Sequence, residues 1–350
     1  MSRPSVDRSA VRLSTFFVLT GIAFLVPSLL SPYLTRGGTV ILVVTVGACG
    51  LNLILGYTGI FSFGNAAFVG IGGYVTASLL IRTGLPFWLV IALSMITGAA
   101  AGALVGLITW RVSGDYFALV TLGFGATLYL VMNNWEFIGG STGLPGIPAP
   151  SLFGIEIQSN EQIYYFSLVV GLLVLLFVRK LGGSNFGRAL LAIREDELAA
   201  RACGINTRQT KLVVFAVGSG ISGLAGVLQV TSLGFISPAS FTLDASVLAV
   251  EVVIIGGMAY AWGPLIGSFV LIGIAEWARV IADYRVGIFG ALMILILVVR
   301  PDGLAGILGL SGARPVWGPG ARAMTRRLSR NASVGVNDPS ESRDGTGVER

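Results

Sequence analysis

No histidine occurs among the 350 residues, and only two cysteines do. The first absence removes the commonest metal ligand and the one side chain that titrates near neutrality. With so few thiols besides, a metal centre built on His and Cys lacks its donors. Cys49 lies in an apolar run and Cys203 in a charged segment, so the two imply no disulfide framework. No G-x-x-x-x-G-K-[ST] phosphate loop is present, which leaves the chain without the means to hydrolyse ATP itself. Charge is scarce too. Asp, Glu, Lys and Arg make up 11% of the chain, against about a quarter in an average soluble domain.

What is abundant is apolar: 54% of residues are hydrophobic and the mean hydropathy is +0.84. These values describe a polytopic membrane protein, and the expected fold class is all-α, a helical bundle of about eight to ten transmembrane helices. Arg3, Arg8 and Arg12 precede an apolar run from Phe16 to Leu30 that has no small-x-small cleavage site, and it reads as an uncleaved first span. Further apolar stretches are Thr39 to Leu55, Asn65 to Ile81, Pro86 to Trp110, Tyr116 to Met132, Ile163 to Val178, Leu212 to Leu233, Val247 to Met258, Pro264 to Ile281 and Val286 to Val299. Val247 to Met258 is short and is followed by Gly263-Pro264, the mark of a broken or re-entrant helix. Glycine, with 49 residues, stands at about twice its usual share. Gly98, Gly102 and Gly106 recur every fourth residue, which predicts a helix–helix packing seam.

Basic residues set the orientation. With ten spans and both termini cytoplasmic, the cytoplasmic side holds three in the N-tail, Arg111, seven from Arg179 to Lys211 and eight from Arg300 onward. Only Arg36, Arg82, Arg279 and Arg285 fall outside. The net charge of +6 therefore reflects topology and calls for no nucleic-acid partner. Three regions follow: a cytoplasmic N-tail over residues 1–15, a transmembrane domain over 16–310 with a cytoplasmic loop at about 180–211, and a tail over 311–350 whose composition predicts disorder. The basic cluster Arg314 to Arg330 is either solvated or rests on anionic membrane lipid. Outside, Asn133 to Gln162 is rich in Gly and Pro and should be ordered by turns.

The 187–211 segment concentrates charge, small residues and helix formers. Ser184 or Asn185 is placed to cap a helix through Arg194, and Asp196 a shorter one from Glu197 to Cys203 that Gly204 ends. Glu197 and Arg201 stand four apart in the favourable order. Ala199, Ala200 and Ala202 predict a low, smooth face, with Glu195, Asp196 and Arg201 at its rim. Such a helix suits another protein's groove. The rival, an amphipathic helix lying on lipid, is disfavoured by the paucity of large apolar residues from Glu195 to Thr210.

Two more features belong to the membrane interior. Tyr57 to Asn65 sets Gly, Thr, Ser and Asn between apolar spans, tolerable at that depth where backbone is buried in protein or lines a wet cavity. Asn52, Ser62, Asn65, Thr121 and Thr127 offer weak hydrogen bonds to a passing solute; for each, a helix–helix contact is the plainer role. Glu251 is a carboxylate inside an apolar span, which must face the interior, be protonated or pair. Either a structural hydrogen bond or a solute-facing role would account for it.

The pattern Glu197-x-Ala199-Ala200-x-x-x-Gly204-Ile205 resembles the coupling motif that bacterial ABC importer permeases present to their ATPases. The wider resemblance is to the branched-chain amino acid importer permeases, in particular the second of their two paralogous permease subunits. It is carried, in order, by GYTGIFSFGNAAFVGIGGY (Gly56 to Tyr74), GDYFALVTLGFG (Gly114 to Gly125), GGSTGLPGIP (Gly139 to Pro148), GRALLAIRE (Gly187 to Glu195), ISPASF (Ile236 to Phe241), VVIIGGMAYAWGPLIG (Val252 to Gly267) and RPDGL (Arg300 to Leu304). Glu251 and the tail beyond Leu310 depart from the family's pattern. The resemblance implies an inner-membrane importer subunit that pairs with a homologous permease, docks two ABC ATPase subunits on the Gly187 to Lys211 loop and transmits their force through Arg194 to Gly204. A periplasmic or lipid-anchored binding protein would deliver the solute. The chain would bind no cofactor, and ATP would be used by the partners. Leucine, isoleucine and valine are the default cargo; relatives with similar motifs carry urea, short amides or aromatic acids. A stand-alone secondary transporter would need intramembrane charges for ion coupling, and besides Glu251 only Glu276 and Arg279, near span ends, would serve. A membrane enzyme lacks histidine, metal or paired carboxylates.

Overall fold

A 27-residue helix, Thr207–Leu233, forms the axis of the computed structural model. The structure describes residues 32–108, 112, 115–152, 155–277, several positions between 287 and 298, and 303–307. In chain order the helices are α1 Pro32–Leu51, which continues as a π-helical turn Asn52–Gly56, α2 Asn65–Arg82, α3 Phe87–Ile108 and α4 Asp115–Asn134. They continue as α5 Asn160–Gly182, α6 Asn185–Glu195, α7 Glu197–Ala202, α8 Thr207–Leu233, α9 Leu243–Gly256, α10 Gly263–Trp277 and α11 Gly303–Ile307. The described strands are two residues each, Ser151–Leu152 and Ile155–Glu156, paired antiparallel. The fold is the expected all-α membrane bundle. The expected span Phe16 to Leu30, most of Val286 to Val299, the tail from Ser311, Arg111, Arg279, Arg285 and the side chain of Glu276 lie outside the described residues.

Six described helical stretches are long and apolar enough to cross a membrane: Pro32–Gly56, Phe87–Ile108, Tyr116–Asn134, Asn160–Gly182, Thr207–Leu233 and Pro238–Gly256. Lipid offers no competing donors or acceptors, so every apolar run must close its own backbone hydrogen bonds. That is why the helices follow the hydropathy so closely. Local signals set the ends. Ser159 and Gln162 form a capping box at the start of α5, and α8 stops where Gly234 turns to φ +65.

Packing around α8 rests on small residues. Gly218, Ser219, Gly220, Ser222, Gly223, Ala225 and Gly226 are all buried along it. A Cβ on Gly218 would lie 2.7 Å from the Gly50 carbonyl oxygen of α1, and one on Gly98 would lie 2.8 Å from the Ser219 carbonyl oxygen. The seam Gly98, Gly102, Gly106 thus faces α8, against Ser219, Phe215 and Leu212. On the α2 side, Gly72 meets Gly223, and Gly226 meets Val69 and Gly73. Buried hydroxyl and amide groups join the same contacts: Ser222 Oγ donates to Asn65 Oδ1 at 2.8 Å, and the Thr76 and Ser94 hydroxyls are 2.8 Å apart. Larger side chains fill the space nearer the loop, where Phe117 packs edge-on against Phe215 with centroids 5.2 Å apart.

The 135–159 connection is held by turns, as its composition leads one to expect. Short 3₁₀ turns at Glu136–Ile138 and Gly140–Thr142 open it, and Leu144 exchanges backbone hydrogen bonds with Ile236. Arg36 donates to Asn160 at the start of α5, and the Arg82 guanidinium stacks 3.8 Å from the Phe137 ring centroid. Both arginines thus sit at the opposite end of the bundle from residues 183–206.

The expected break after Met258 is a helical hairpin. α9 has 14 residues, about 21 Å at 1.5 Å each, and reaches a membrane-crossing length only together with the 3₁₀ turn Pro238–Ser240 before it. Gly256, Gly263 and Gly267 let α10 fold back directly on α9. The tip, residues 257–262, meets Asn52 near the end of α1.

Candidate coupling loop and translocation path

The 183–206 segment is two helices set at an angle by capping. Ser184 Oγ accepts from Gly187 N at 3.3 Å, which makes it the cap of α6. Leu190, Leu191 and Ile193 bury one face of α6, and Gly187 allows its first turn to rest on the carbonyls of Leu181 and Gly182. Asp196 is extended at φ −158 and ψ 113, which breaks the helix. Its Oδ1 then accepts from Leu198 N at 2.8 Å and Ala199 N at 3.0 Å, starting α7. Gly204, at φ +84, closes α7 in a Schellman turn in which Ile205 N reaches the Ala200 carbonyl at 3.1 Å.

Glu197 anchors this short helix. Its Oε1 accepts from Arg201 at 2.6 Å and its Oε2 from Lys211 Nζ at 2.6 Å. Lys211 is only 7% exposed, at the foot of α8. Burial alone would push the Glu197 carboxyl up, but hydrogen bonds from Lys211 and Arg201, with the Lys211 charge and Thr207, hold it below the usual carboxylate range. A carboxyl so lowered contributes fully above its unfolded pKa, and that contribution is lost only as pH falls through the lowered value. Lys211 is the partner that spacing could not reveal, 14 residues away in sequence.

The other loop residues divide by direction. Asp196 serves as cap, and Arg194 turns inward to the Gly56 carbonyl at 2.7 Å. Glu195 and Arg201 are exposed. The face expected from three alanines is presented by Ala199 and Ala202, because Ala200 is buried beneath the helix. Leu198, which the sequence reading passed over, stands 75% exposed at the first turn. The result is a small capped helix with one projecting apolar side chain and a charged rim.

The polar residues of the membrane interior do not converge on one point. Asn52 is fully buried, accepting from Ala259 N at 3.1 Å and donating to the Tyr260 carbonyl at 3.0 Å. Asn65 is bound to Ser222 between α2 and α8. Thr121 accepts from Phe63 N at 3.0 Å, so it holds the non-helical 59–64 segment against α4. Ser62, in that segment, is buried with its hydroxyl unpartnered among the described residues. Thr127 is exposed on α4, and Glu251 is half-buried on α9. The carboxylate of Glu251 has no hydrogen-bond or ion-pair partner among the described residues, so no structural hydrogen bond explains it there.

The multi-pass bundle thus carries a capped, exposed helix at one end and, inside it, an irregular segment and a carboxylate without a partner among the described residues. The family model described as branched-chain amino acid transport system / permease component matches residues 33–297. The chain belongs to this permease family. It is 33% identical over 330 residues to the high-affinity branched-chain amino acid transport system permease protein LivM of Escherichia coli (strain K12), covering 86% of this chain and 77% of that one. It is 27% identical over 307 residues to the probable branched-chain amino acid transport permease protein LivM of Methanocaldococcus jannaschii, covering 73% and 88%. The paralogous permease protein LivH of Escherichia coli (strain K12) is 26% identical over 299 residues, covering 78% and 92%. No solved structure matches the chain. As a permease, the protein is a multi-pass membrane transport component, and its resemblance spans α1 to α10.

Proposed function

We propose that this permease is the membrane-spanning subunit of a bacterial ABC importer for branched-chain amino acids in the inner membrane, with both termini cytoplasmic. The observation that carries the reading is α7. An exposed apolar residue, Leu198, projects from a helix fixed to the bundle by Glu197 and Lys211, in a chain that has no phosphate loop of its own. Such a helix suits a groove on a partner that hydrolyses ATP, and α6 transmits the partner's movement to the ends of α1 and α5. A homologous permease would close the path, two ATPases would drive it, and a periplasmic or lipid-anchored binding protein would load it beside the 135–159 connection. The relatives named LivM and LivH support leucine, isoleucine and valine as cargo.

Reconstitution tests this directly. ATP-dependent uptake of labelled leucine is expected with this chain, its partner permease, both ATPases and the binding protein together, and with none of the four left out. Uptake that persists without the ATPases would sink the importer reading. Competition by unlabelled urea, acetamide or phenylalanine in place of leucine would keep the machine and change its cargo.

Glu251 is the group proposed to meet the solute, through the ammonium of an amino acid. Ser62 and Thr127 would add weak contacts, whereas Asn52, Asn65 and Thr121 shape the walls. A hydrogen bond to a charged group is worth enough that Glu251→Gln is expected to raise the KM for leucine by about tenfold, with Glu251→Asp intermediate. Unchanged KM and maximal rate in Glu251→Gln would remove it from the path. The same carboxylate, without a partner among the described residues, is what a proton-coupled secondary transporter would use; uptake abolished by a protonophore in the absence of ATP would favour that reading.

A further inference from the structure

Gly56 is the point at which three distant parts of the chain meet. The helical run that α1 and its π turn form ends at Thr58, two residues beyond it, and its carbonyl has no backbone donor from the segment that follows. Arg194 Nη1 fills that place at 2.7 Å, putting a cation at a helix C-terminus, where the backbone dipoles favour it. Gly59, at φ +73, leaves room for the stem: a Cβ there would lie 3.1 Å from Arg194 Cγ. On its other side Gly56 abuts the α9–α10 hairpin. A Cβ on it would overlap the Asn52 side-chain oxygen and lie 2.7 Å from the Ala259 nitrogen.

The hairpin tip is itself held in a costly shape. Ala259 has φ +62 and is the only non-glycine in the left-handed region among the described residues, a conformation that persists only where neighbours enforce it. Asn52 is one enforcer, binding both Ala259 N and the Tyr260 carbonyl. Gly303 is another, since a Cβ on it would lie 2.5 Å from Gly257 Cα. Asn52 and Gly56 are the two ends of the π-helical turn. A π turn holds one residue more than an α turn and recurs at functional sites; its relaxation to α geometry would rotate Gly56 relative to Asn52. Transmission between distant sites requires an element with two arrangements, and this turn is the one taken here to switch.

We propose that Arg194 is a positioning residue for coupling, tying the ATPase-facing loop through Gly56 and Asn52 to the α9–α10 tip, and so to the helix that carries Glu251. This rests on the importer reading for its purpose, though not for its mechanics. Two readouts separate the two. Hydrogen exchange at the Ala259 amide, measured on the full chain in nanodiscs, reports the link without any transport. In Arg194→Gln it is expected to quicken by about tenfold, and Arg194→Lys, which keeps one donor, should restore most of the protection. In the reconstituted complex the ATP consumed per solute imported is expected to rise about tenfold in Arg194→Gln, because hydrolysis no longer moves the tip; a merely structural defect lowers both rates together. Unchanged exchange at Ala259 in Arg194→Gln overturns the proposal whatever the wild-type complex carries. Quickened exchange with no ATP-driven uptake by the wild type leaves the link standing and sinks the importer reading instead. Should Arg194→Gln fail to assemble, Arg194→Lys carries the test through a smaller but measurable loss of protection, and wild-type exchange in that variant counts against the link.

Discussion

Glu197→Lys is expected to lower ATP-driven uptake by about a hundredfold while the bundle remains folded. The substitution replaces a shared carboxylate with a third cation beside Arg201 and the buried Lys211. Breaking a fully buried pair by removing one partner costs about 3–5 kcal/mol. Glu197 keeps 26% of its side chain exposed, so about 3 kcal/mol is the fitting figure after allowing for solvent screening. Since each 1.4 kcal/mol is a factor of ten, that amounts to about two powers of ten in the ratio of ordered to unordered α7. The loss is local, because α7 adds little to the bundle's core. The mutant chain should therefore insert and melt near the wild type, while the ATPases no longer co-purify with it. The charge-swapped double variant Glu197→Lys with Lys211→Glu should recover part of the activity. Uptake within about threefold of wild type in the single variant, given the size of the lost pair, would show that α7 is not the motor contact.

The largest loss of stability is expected from Gly226→Leu. At Gly226 a Cβ would overlap the Val69 carbonyl and lie 2.5 Å from Gly73 N. These are backbone atoms, so no rotamer change on a neighbour relieves the clash; α2 and α8 must separate. Overpacking a well-packed core typically costs about 1–3 kcal/mol and occasionally more, and here the upper end or beyond applies. Separation would also pull Ser222 from Asn65 and expose buried polar groups to lipid. Thermal unfolding in detergent, followed by circular dichroism, should show Gly226→Leu melting far below the wild type or failing to fold. Gly37→Ala is the control, because nothing lies within 4 Å of a Cβ there. It should be neutral or gain up to about 1 kcal/mol, as glycine inside a helix gives up backbone entropy. Equal melting of the two variants would refute the close-packed seam as the source of the fold's cohesion.

The two expectations act on different parts of one machine. The glycine seam brings α1, α2, α3 and α8 into close backbone contact. On the proposed importer reading, the loop at its end would be a small lever that needs such a base to push against.

How much of this the amino-acid sequence determined depends on the range of the interaction. The apolar run Asn65 to Ile81 became Asn65–Arg82 and Leu212 to Leu233 became the greater part of Thr207–Leu233, because in lipid each segment must satisfy its own backbone. Ser184 and Asp196 cap as their positions require, and Glu197 pairs with Arg201 at one helical turn. The order of the motif blocks named the family. Tertiary structure alone decided which side chains were free. Lys211 reaches Glu197 from the next helix, Arg194 turns to Gly56 rather than outward, and Ala200 is buried while Leu198 projects. Asn52 and Asn65, polar residues of the kind a solute path would use, are occupied by the α9–α10 tip and by Ser222, whereas Glu251 has no described partner. Local pattern specifies helices, ends and one-turn neighbours, but the face a residue shows depends on how far each helix slides against the next, and that is settled by the close backbone contacts at glycines distant in sequence.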